Sequence, residues 1–306
     1  MMTLGRSTEW IGVMAAAVNT VLGGFAVGVT RFVIGATDAL TLGALRFGVG
    51  ALILLPFVVL QRRLWPRRRN LIGILLLGLL YFGLYPVLFN ASLMYTTAVR
   101  GALALSATPL LTMVAAAILR VEPLTARKTL GVSVATLGVV AALLTGLTDA
   151  PHGAWRGDAL MVAAAVCGAF YNVWSAPYIR QIGPVSYTVI GMIAGSILLT
   201  GLSWLRSGFD AIPGFSPTDW AAIAFLVTFG GAVTFYLWSY ALEKTTPTRV
   251  AIAITLNPVA AGFFGVIVLN EPLSFSLAAG LLTVLTGIWI AGSDRSKRRG
   301  RSQGRR

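Results

Sequence analysis

The chain has very few of the residues that most enzymes use for catalysis or for metal binding. Its 306 residues include one cysteine, one histidine and ten acidic residues. Because Cys167 is the only cysteine, no disulfide can form within the chain, and a single histidine, His152, excludes a zinc site built on a histidine pair. The sequence also lacks a GxxxxGK[ST] phosphate-binding loop. We therefore expect no enzymatic activity, no catalytic residue, no metal and no cofactor.

Charged residues are scarce as well, whereas long apolar runs are abundant. Hydrophobic residues make up 57% of the chain and charged residues 11%, and the mean hydropathy is +0.81. A helix that crosses a bilayer needs about 20 apolar residues, and the sequence contains ten such runs without the alternation of a membrane β-barrel. Numbered as spans 1 to 10, they are residues 10–33, 39–60, 71–94, 98–119, 127–147, 158–178, 185–205, 218–240, 247–269 and 273–292. The chain is therefore predicted to be an all-α membrane protein with ten transmembrane helices.

An internal repeat divides these spans into two sets of five. Residues 96–138 align without a gap to residues 245–287, at an offset of 149 residues, and twelve of the 43 aligned positions are identical. The identical positions include arginine, proline and the triplet Glu-Pro-Leu, which hydrophobic bias alone does not supply. The chain is therefore a duplicated unit.

The odd number of spans in each copy predicts their relative orientation. A five-span copy leaves its successor starting on the opposite side of the membrane, so we expect two inverted five-helix repeats, residues 1–148 and 149–294, and a basic tail at residues 295–306. With the N-terminus inside, 19 lysines and arginines lie on the inner side and four on the outer side, which places both termini in the cytoplasm. The cations behind the formal net charge of +14 lie mostly on the inner side, as this orientation requires. No nucleic-acid partner is expected, because the tail has no interleaved aromatic residues.

Prolines in the middle of spans 4 and 9 predict a break in each helix. Pro109 removes the helical hydrogen bond to the carbonyl of Leu105, and Pro258 does the same at Ile254. Small polar residues flank both prolines: Ser106, Thr108 and Thr112 in span 4, and Thr255 and Asn257 in span 9. A purely structural role is the alternative, because serine and threonine can bond to their own helix. The matched positions nevertheless favour a substrate site near the bilayer midplane with the prolines as hinges or cavity walls.

Aromatic side chains and one arginine complete the set of candidate site residues. Tyr81 and Tyr85 share a face of span 3 with Asn90 beside them, and Trp174 lies in the inner half of span 6, where each either lines a cavity or only packs. Arg46 is the one charge well inside a span, and such a cation pairs with backbone carbonyls, another side chain or an anionic ligand; we favour a structural or gating anchor. The candidate substrate-binding residues are Tyr81, Tyr85, Asn90, Ser106, Thr108, Trp174, Thr255 and Asn257, and the candidate hinge or gating residues are Pro109, Pro258 and Arg46.

These features resemble the drug/metabolite transporter superfamily, and within it the EamA-type exporters. The resemblance rests on the repeated segments ALALSATPLLTMVAAAILRVEPLT and AIAITLNPVAAGFFGVIVLNEPLS, and on the arginine of LTLGALRFGVGALIL in span 2. It implies a bacterial inner-membrane protein in which spans 1 to 4 and 6 to 9 surround a central cavity, with spans 5 and 10 as outer supports. The aromatic residues look most like those of YddG-type exporters of aromatic and neutral amino acids. One departure is that no acidic residue lies within a span, whereas proton-coupled drug exporters depend on a membrane-embedded glutamate.

The sequence thus predicts a secondary transporter that exports a small metabolite, an aromatic or neutral amino acid, by alternating access and without ion coupling. A proton-coupled exporter of drugs or other metabolites is the alternative, and a non-transporting membrane scaffold is a second one. The expected partners are a small-molecule substrate and the lipid bilayer. Small-residue motifs in spans 1 and 7 serve packing within a bundle, so the oligomeric state stays open and a monomer is compatible with the sequence.

Overall fold

The computed structural model describes residues 6–61, 68–121 and 152–270, together with single residues outside these ranges. Within the described residues the regular secondary structure is entirely helical, and seven helices are long and apolar enough to cross a membrane. They are Trp10–Val33, Ala39–Leu60, Asn70–Tyr95, Ala98–Ile118, Ala154–Ile182, Pro184–Leu205 and Pro217–Lys244. These helices coincide with predicted spans 1 to 4 and 6 to 8. Predicted spans 5 and 10 and the basic tail lie outside the described ranges.

Four spans are continuous α-helices: Arg6–Val33, Ala39–Gln61, Ala154–Ile182 and Pro184–Leu205. Span 6 is longer than its apolar run because two glycines set its ends. Gly153 and Gly183 have φ angles of 81° and 83°, a conformation that glycine adopts without steric cost. The next helix begins directly after the second of them, at Pro184, where a proline is already preset for the first turn.

Spans 3 and 8 each contain a π-helical turn at equivalent positions. Span 3 runs as the α-helix Arg68–Gly78, the π-helix Leu79–Leu84 and the α-helix Tyr85–Tyr95. Span 8 runs as the α-helix Pro217–Val227, the π-helix Thr228–Val233 and the α-helix Thr234–Lys244. Both turns and both following helices are related by the 149-residue offset of the sequence repeat. Such single π-turns in α-helices are frequently found at functional sites.

Spans 4 and 9 are broken where the prolines predict. Span 4 consists of the α-helices Ala98–Leu105 and Thr108–Ile118. Span 9 consists of Pro247–Ala253, the 3-10 turn Ile254–Leu256 and Asn257–Val268. Pro109 and Pro258 both fall in the first turn of the second helix, where the missing N–H has no helical acceptor.

The contacts between spans follow the same offset. Span 1 packs against the second helices of spans 8 and 9, and span 6 packs against the second helices of spans 3 and 4. Spans 2 and 7 are equivalents of each other and pack together. Each contact in one half therefore has a partner in the other half, which is the pattern that a pseudo-two-fold axis produces.

Glycines allow the helices to approach closely at two of these crossings. Gly24 and Gly28 of span 1 face span 9, where an added Cβ would lie 2.6 Å from the Cβ of Ala260 and 3.0 Å from that of Phe264. Gly195 of span 7 faces the π-turn of span 3 in the same way. In the described part of the chain these small-residue faces thus pack within the bundle.

A buried ion pair joins the predicted outer ends of spans 4 and 6. Arg100 Nη2 donates to Asp158 Oδ2 at 2.6 Å, and the two side chains are 3% and 15% exposed. The Thr96 hydroxyl also donates to Asp158, at 3.2 Å. The pair fixes the start of span 6 against the start of span 4.

Candidate functional site

A central cavity lies where the helix breaks converge. It has a volume of about 60 Å³ and touches spans 1, 2, 3, 4, 8 and 9. Its lining residues are Asn19, Thr20, Gly23, Val27, Arg46, Tyr81, Tyr85, Phe89, Leu105, Thr234, Phe235, Trp238, Ile254 and Asn257. Six of them form three pairs at the 149-residue offset, namely Tyr85 with Thr234, Phe89 with Trp238, and Leu105 with Ile254. The cavity is therefore lined by matched positions of the two halves of the sequence repeat.

One wall of the cavity is aromatic and is centred on Tyr81. The ring of Tyr81 stacks on that of Tyr171 with centroids 3.8 Å apart. It also contacts the rings of Tyr85 at 4.9 Å and Phe235 at 5.6 Å. Because Tyr81 lies inside the π-turn of span 3, the position of this wall depends on the geometry of that turn.

Arg46 provides the positive charge of the cavity. Its side chain is 6% exposed, and its Nε donates to the carbonyl oxygen of Gly230 at 3.0 Å, with Nη2 donating to the same oxygen. Its guanidinium carbon lies 5.6 Å from the ring centroid of Phe47 and 5.8 Å from that of Phe235. In the described part of the chain no carboxylate pairs with it, so a backbone dipole and two aromatic rings are its main partners. Of the partners expected for this cation, the structure shows a backbone carbonyl and, in the form of two aromatic rings, other side chains.

Two asparagines bring polar acceptors to the same cavity. Asn19 is 5% exposed and Asn257 is 6% exposed, and the Oδ1 atoms of both have no hydrogen-bond partner among the described residues. The neighbouring hydroxyls are engaged with their own helices, since Thr20 donates to Ala16 and Thr234 to Phe229. A buried acceptor without a partner costs free energy. The two amide oxygens are thus suited to a hydrogen-bond donor that enters the cavity.

A second polar chain connects the cavity wall to spans 6 and 4. Trp238 Nε1 donates to Asn172 Oδ1 at 2.9 Å, and Asn172 Nδ2 donates to the Thr112 hydroxyl at 3.3 Å. Sequence reasoning missed Asn172 and Trp238, as it missed Asn19 and Thr234. An asparagine in the middle of an apolar run could have indicated these residues, because a buried amide needs hydrogen-bond partners from other helices.

Ten of the eleven predicted site residues separate into three groups. Tyr81, Tyr85, Arg46 and Asn257 line the cavity. Asn90, Ser106, Thr108 and Pro109 are buried outside its lining: Asn90 donates to Ala39, Ser106 to Ala102 and Thr108 to Leu105. The two hydroxyls thus satisfy their own helix, as the structural alternative expects. The side chains of Thr255 and Pro258 lie outside the described residues.

Trp174 lies in a larger groove at the predicted cytoplasmic ends of the spans. This groove has a volume of about 970 Å³ and is lined by spans 3, 4, 6 and 9, and Trp174 is 43% exposed there. Leu80 lines the groove while the next residue, Tyr81, lines the cavity. Span 3 therefore contributes neighbouring side chains to both spaces.

The opposite end of the bundle is packed more tightly at equivalent positions. Pro177 in the groove is exposed, whereas its equivalent Gly28 is buried against Phe264. Likewise Tyr178 is partly exposed, whereas its equivalent Val29 is 8% exposed. At these equivalent positions the predicted cytoplasmic end of the described bundle is thus more exposed than the predicted outer end.

The chemistry of these residues is suited to binding a small solute. The described residues contain no group of three histidine, cysteine, aspartate or glutamate side chains that could hold a metal ion. The cavity combines a guanidinium, tyrosine hydroxyls, amide oxygens and aromatic faces. This combination binds small amphipathic solutes, with the polar groups fixing their orientation.

Comparison with known proteins gives one family for nearly the whole chain. The model of the EamA-like transporter family matches twice, at residues 10–144 and 155–293. The two matches correspond to the two halves of the internal repeat.

Individual relatives agree with this match. An uncharacterized transporter of Archaeoglobus fulgidus is 26% identical over 285 residues, which cover 92% of this chain and 98% of the relative. The uncharacterized transporter YyaM of Bacillus subtilis is 24% identical over 85% of this chain and 87% of its own. A probable terminal-alkyne amino-acid exporter of Streptantibioticus cattleyicolor is 27% identical over 72% of each chain. A solved crystal structure shares the fold with a TM-score of 0.68 and 19% identity, covering 94% of this chain and 98% of the other.

Proposed function

The chain belongs to the EamA-like transporter family of the drug/metabolite transporter superfamily, and from this premise we propose that it is a secondary transporter that exports small metabolites by alternating access. It is a multi-pass membrane protein with several apolar helices. The observation that carries the proposal is the set of paired helix breaks around one cavity. The lining includes Tyr81 of the span-3 π-turn, Thr234 directly after the span-8 π-turn, and Leu105 and Ile254 beside the two proline breaks. A change in either half therefore alters the lining.

The proposed architecture consists of two inverted five-helix repeats in a bacterial inner membrane, with both termini in the cytoplasm. The 149-residue offset in helix bounds and contacts supports a two-fold relation between the halves. An odd number of spans in each half then requires opposite membrane orientation. In this architecture the groove faces the cytoplasm.

The proposed substrate is an aromatic or neutral amino acid. The aromatic wall around Tyr81 suits an apolar side chain, while Arg46 and the two asparagines suit polar groups. The relative named as an amino-acid exporter supports the same class. A cavity of about 60 Å³ holds only a few water molecules, so the spans must separate to admit such a solute.

We also propose that transport is not coupled to an ion. A coupling site for protons normally needs a carboxylate near the midplane, and the described cavity lining contains none. The exported solute then moves down its own gradient.

Proteoliposomes containing the purified protein provide the test. Counterflow of labelled amino acids is expected without any ion gradient, and an imposed pH or sodium gradient should not drive accumulation. The control is the same protein with both Pro109 and Pro258 changed to alanine. Uphill accumulation that an ionophore abolishes would favour the alternative of a proton-coupled exporter, and failure to move any solute would contradict the proposed function.

A further inference from the structure

We propose that Arg46 binds the carboxylate of the transported solute, and that this contact takes the guanidinium away from the carbonyl of Gly230 and so releases the π-turn of span 8. This inference rests on the proposed function and assigns to one residue both the recognition of the solute and the start of the conformational change. The substrate class that it names is a zwitterion, an α-amino acid with a free carboxylate and a free ammonium group.

The case for a carboxylate begins with the environment of the charge. Arg46 is 6% exposed and donates to the carbonyl oxygen of Gly230 through two nitrogen atoms. A carbonyl dipole balances a buried cation only in part. A carboxylate accepts from two guanidinium nitrogens at once, in a stronger, charge-assisted pair. Since Arg46 also lines the cavity, an anionic group that enters the cavity can compete for it.

The case for a zwitterion comes from the two unpartnered amide oxygens. Asn19 and Asn257 line the same cavity and are more than nine-tenths buried. Their Oδ1 atoms lack a partner among the described residues. An ammonium group donates three hydrogen bonds, so a single α-amino acid can satisfy the guanidinium with its carboxylate and the amides with its ammonium group.

The link to the helix break follows from where Gly230 lies. It is within the π-helical turn Thr228–Val233, and the Arg46 bonds tie this turn to span 2. Gly231 also touches span 2, since an added Cβ would be 2.9 Å from the Arg46 carbonyl oxygen. When the side-chain bonds exchange from the turn to the solute, the turn of span 8 loses this polar attachment to span 2, and only packing then holds it there.

The equivalent position in the other half of the protein has no arginine that could bond to a π-turn. The residue equivalent to Arg46 is Gly195, and it packs directly on the backbone of Phe82 in the π-turn of span 3. The solute therefore acts through its carboxylate on the turn of span 8, whereas the turn of span 3 is held by close packing. This asymmetry gives the proposal a readout that a general effect of binding would not produce.

The first test uses the wild-type protein and three related solutes. Competition with labelled L-phenylalanine is measured in proteoliposome counterflow for unlabelled L-phenylalanine, 3-phenylpropionate and phenethylamine. The acid should compete at least about tenfold more strongly than the amine, as expected for a charge-assisted contact. Equal competition by acid and amine, or stronger competition by the amine, would overturn the proposal.

The second test changes the arginine. Arg46→Gln should reduce the apparent affinity for L-phenylalanine by about tenfold or more and remove the preference for the acid, and Arg46→Lys should retain part of that preference. Arg206→Gln, which removes an exposed arginine at the end of span 7, is the matched control and should behave as wild type. If Arg46→Gln keeps the wild-type preference, Arg46 does not bind the carboxylate.

The third test follows backbone hydrogen exchange in the detergent-solubilised wild-type protein. L-phenylalanine should accelerate exchange in residues 228–234 relative to residues 79–85, and Arg46→Gln should show the faster exchange without solute. Equal changes in both segments, or protection of residues 228–234, would contradict the release of the turn. If no amino acid moves in counterflow, the proposed function fails separately, and thermal stabilisation by the same three solutes then decides the inference: stabilisation by the acid and not by the amine supports it, and any other order refutes it.

Discussion

Gly195 offers a sharp test of the close packing between spans 7 and 3. This glycine is buried, and an added Cβ would lie less than 3.0 Å from the carbonyl carbon, the carbonyl oxygen and the Cβ of Phe82. Two of these atoms belong to the backbone of the π-turn, which cannot yield as a flexible side chain does. Gly195→Ala should therefore push span 7 away from that turn.

The expected magnitude follows from two opposing terms. Overfilling a packed site typically costs about 1–3 kcal/mol, while replacing glycine by alanine within a helix gains about 1 kcal/mol. Gly201 lies in the same helix, is exposed and has no atom within 4 Å of an added Cβ. Gly201→Ala keeps the helical gain without the clash, so the two variants should differ by the steric cost alone, about 1–3 kcal/mol in unfolding free energy.

Thermal unfolding of the detergent-solubilised variants, followed by tryptophan fluorescence, measures this difference. Gly195→Ala should unfold at a lower temperature than wild type, and Gly201→Ala should unfold at the same temperature or higher. Counterflow should slow only in the first variant, because span 3 carries Tyr81 of the cavity wall. Equal stability of the two alanine variants would refute the reasoning from close packing.

Three further predictions concern the ion pair, the orientation and the hinges. Asp158→Asn removes one charged partner of the buried Arg100 and should destabilise the protein by about 1–3 kcal/mol, measured by the same thermal assay, and wild-type stability would show that the pair is dispensable. Single cysteines at Ser207 and Ser302, in a cysteine-free background, should react with an impermeant reagent from opposite sides of the membrane, and labelling of both from outside intact cells would contradict the ten-span arrangement. Changing both Pro109 and Pro258 to alanine restores two backbone donors and should slow transport in a protein that still folds, and a normal rate would assign the prolines a purely structural role.

The helix positions were predictable because the apolar runs report burial in lipid directly. Predicted spans 1 to 4 and 6 to 8 coincide with described helices to within a few residues, and the largest difference is at span 6. Its helix continues to Ile182 because Gly183 ends it, while the apolar run stops earlier. The end of this helix is set by the backbone conformation of a glycine, which the hydrophobicity of the sequence does not predict.

The π-turns were not predictable from the repeat. Sequence identity between the halves is detectable from Thr96 onward, yet the matched geometry extends back to Leu79. Tyr81 and Gly230 occupy equivalent positions with unlike side chains, so the backbone geometry persists where residue identity does not. A π-turn depends on the packing of several helices, which a single stretch of sequence does not contain.

The candidate site was predictable where a residue type is costly in lipid. Arg46 and Asn257 line the cavity, as their burial within apolar spans suggests. Ser106 and Thr108 were harder to assign, because a hydroxyl can be satisfied by its own helix at no cost in tertiary structure. Trp174 was placed correctly on its helix, but its exposure in the groove depends on how far spans 3 and 6 are apart.

The unequal pair Arg46 and Gly195 has a consequence for the balance between the two states of the transporter. If both halves were identical, exchanging their conformations would convert the inward-facing state into the outward-facing state at equal free energy, and the two populations would be equal. Any contact that forms in one state and not in the other changes that ratio, by a factor of ten for about 1.4 kcal/mol. Arg46 makes a charged hydrogen bond and its equivalent Gly195 makes none, and the free energy of one such bond is of this size. Under the proposed alternating access, the resting protein therefore faces predominantly one side, and a solute that engages Arg46 moves the population toward the other.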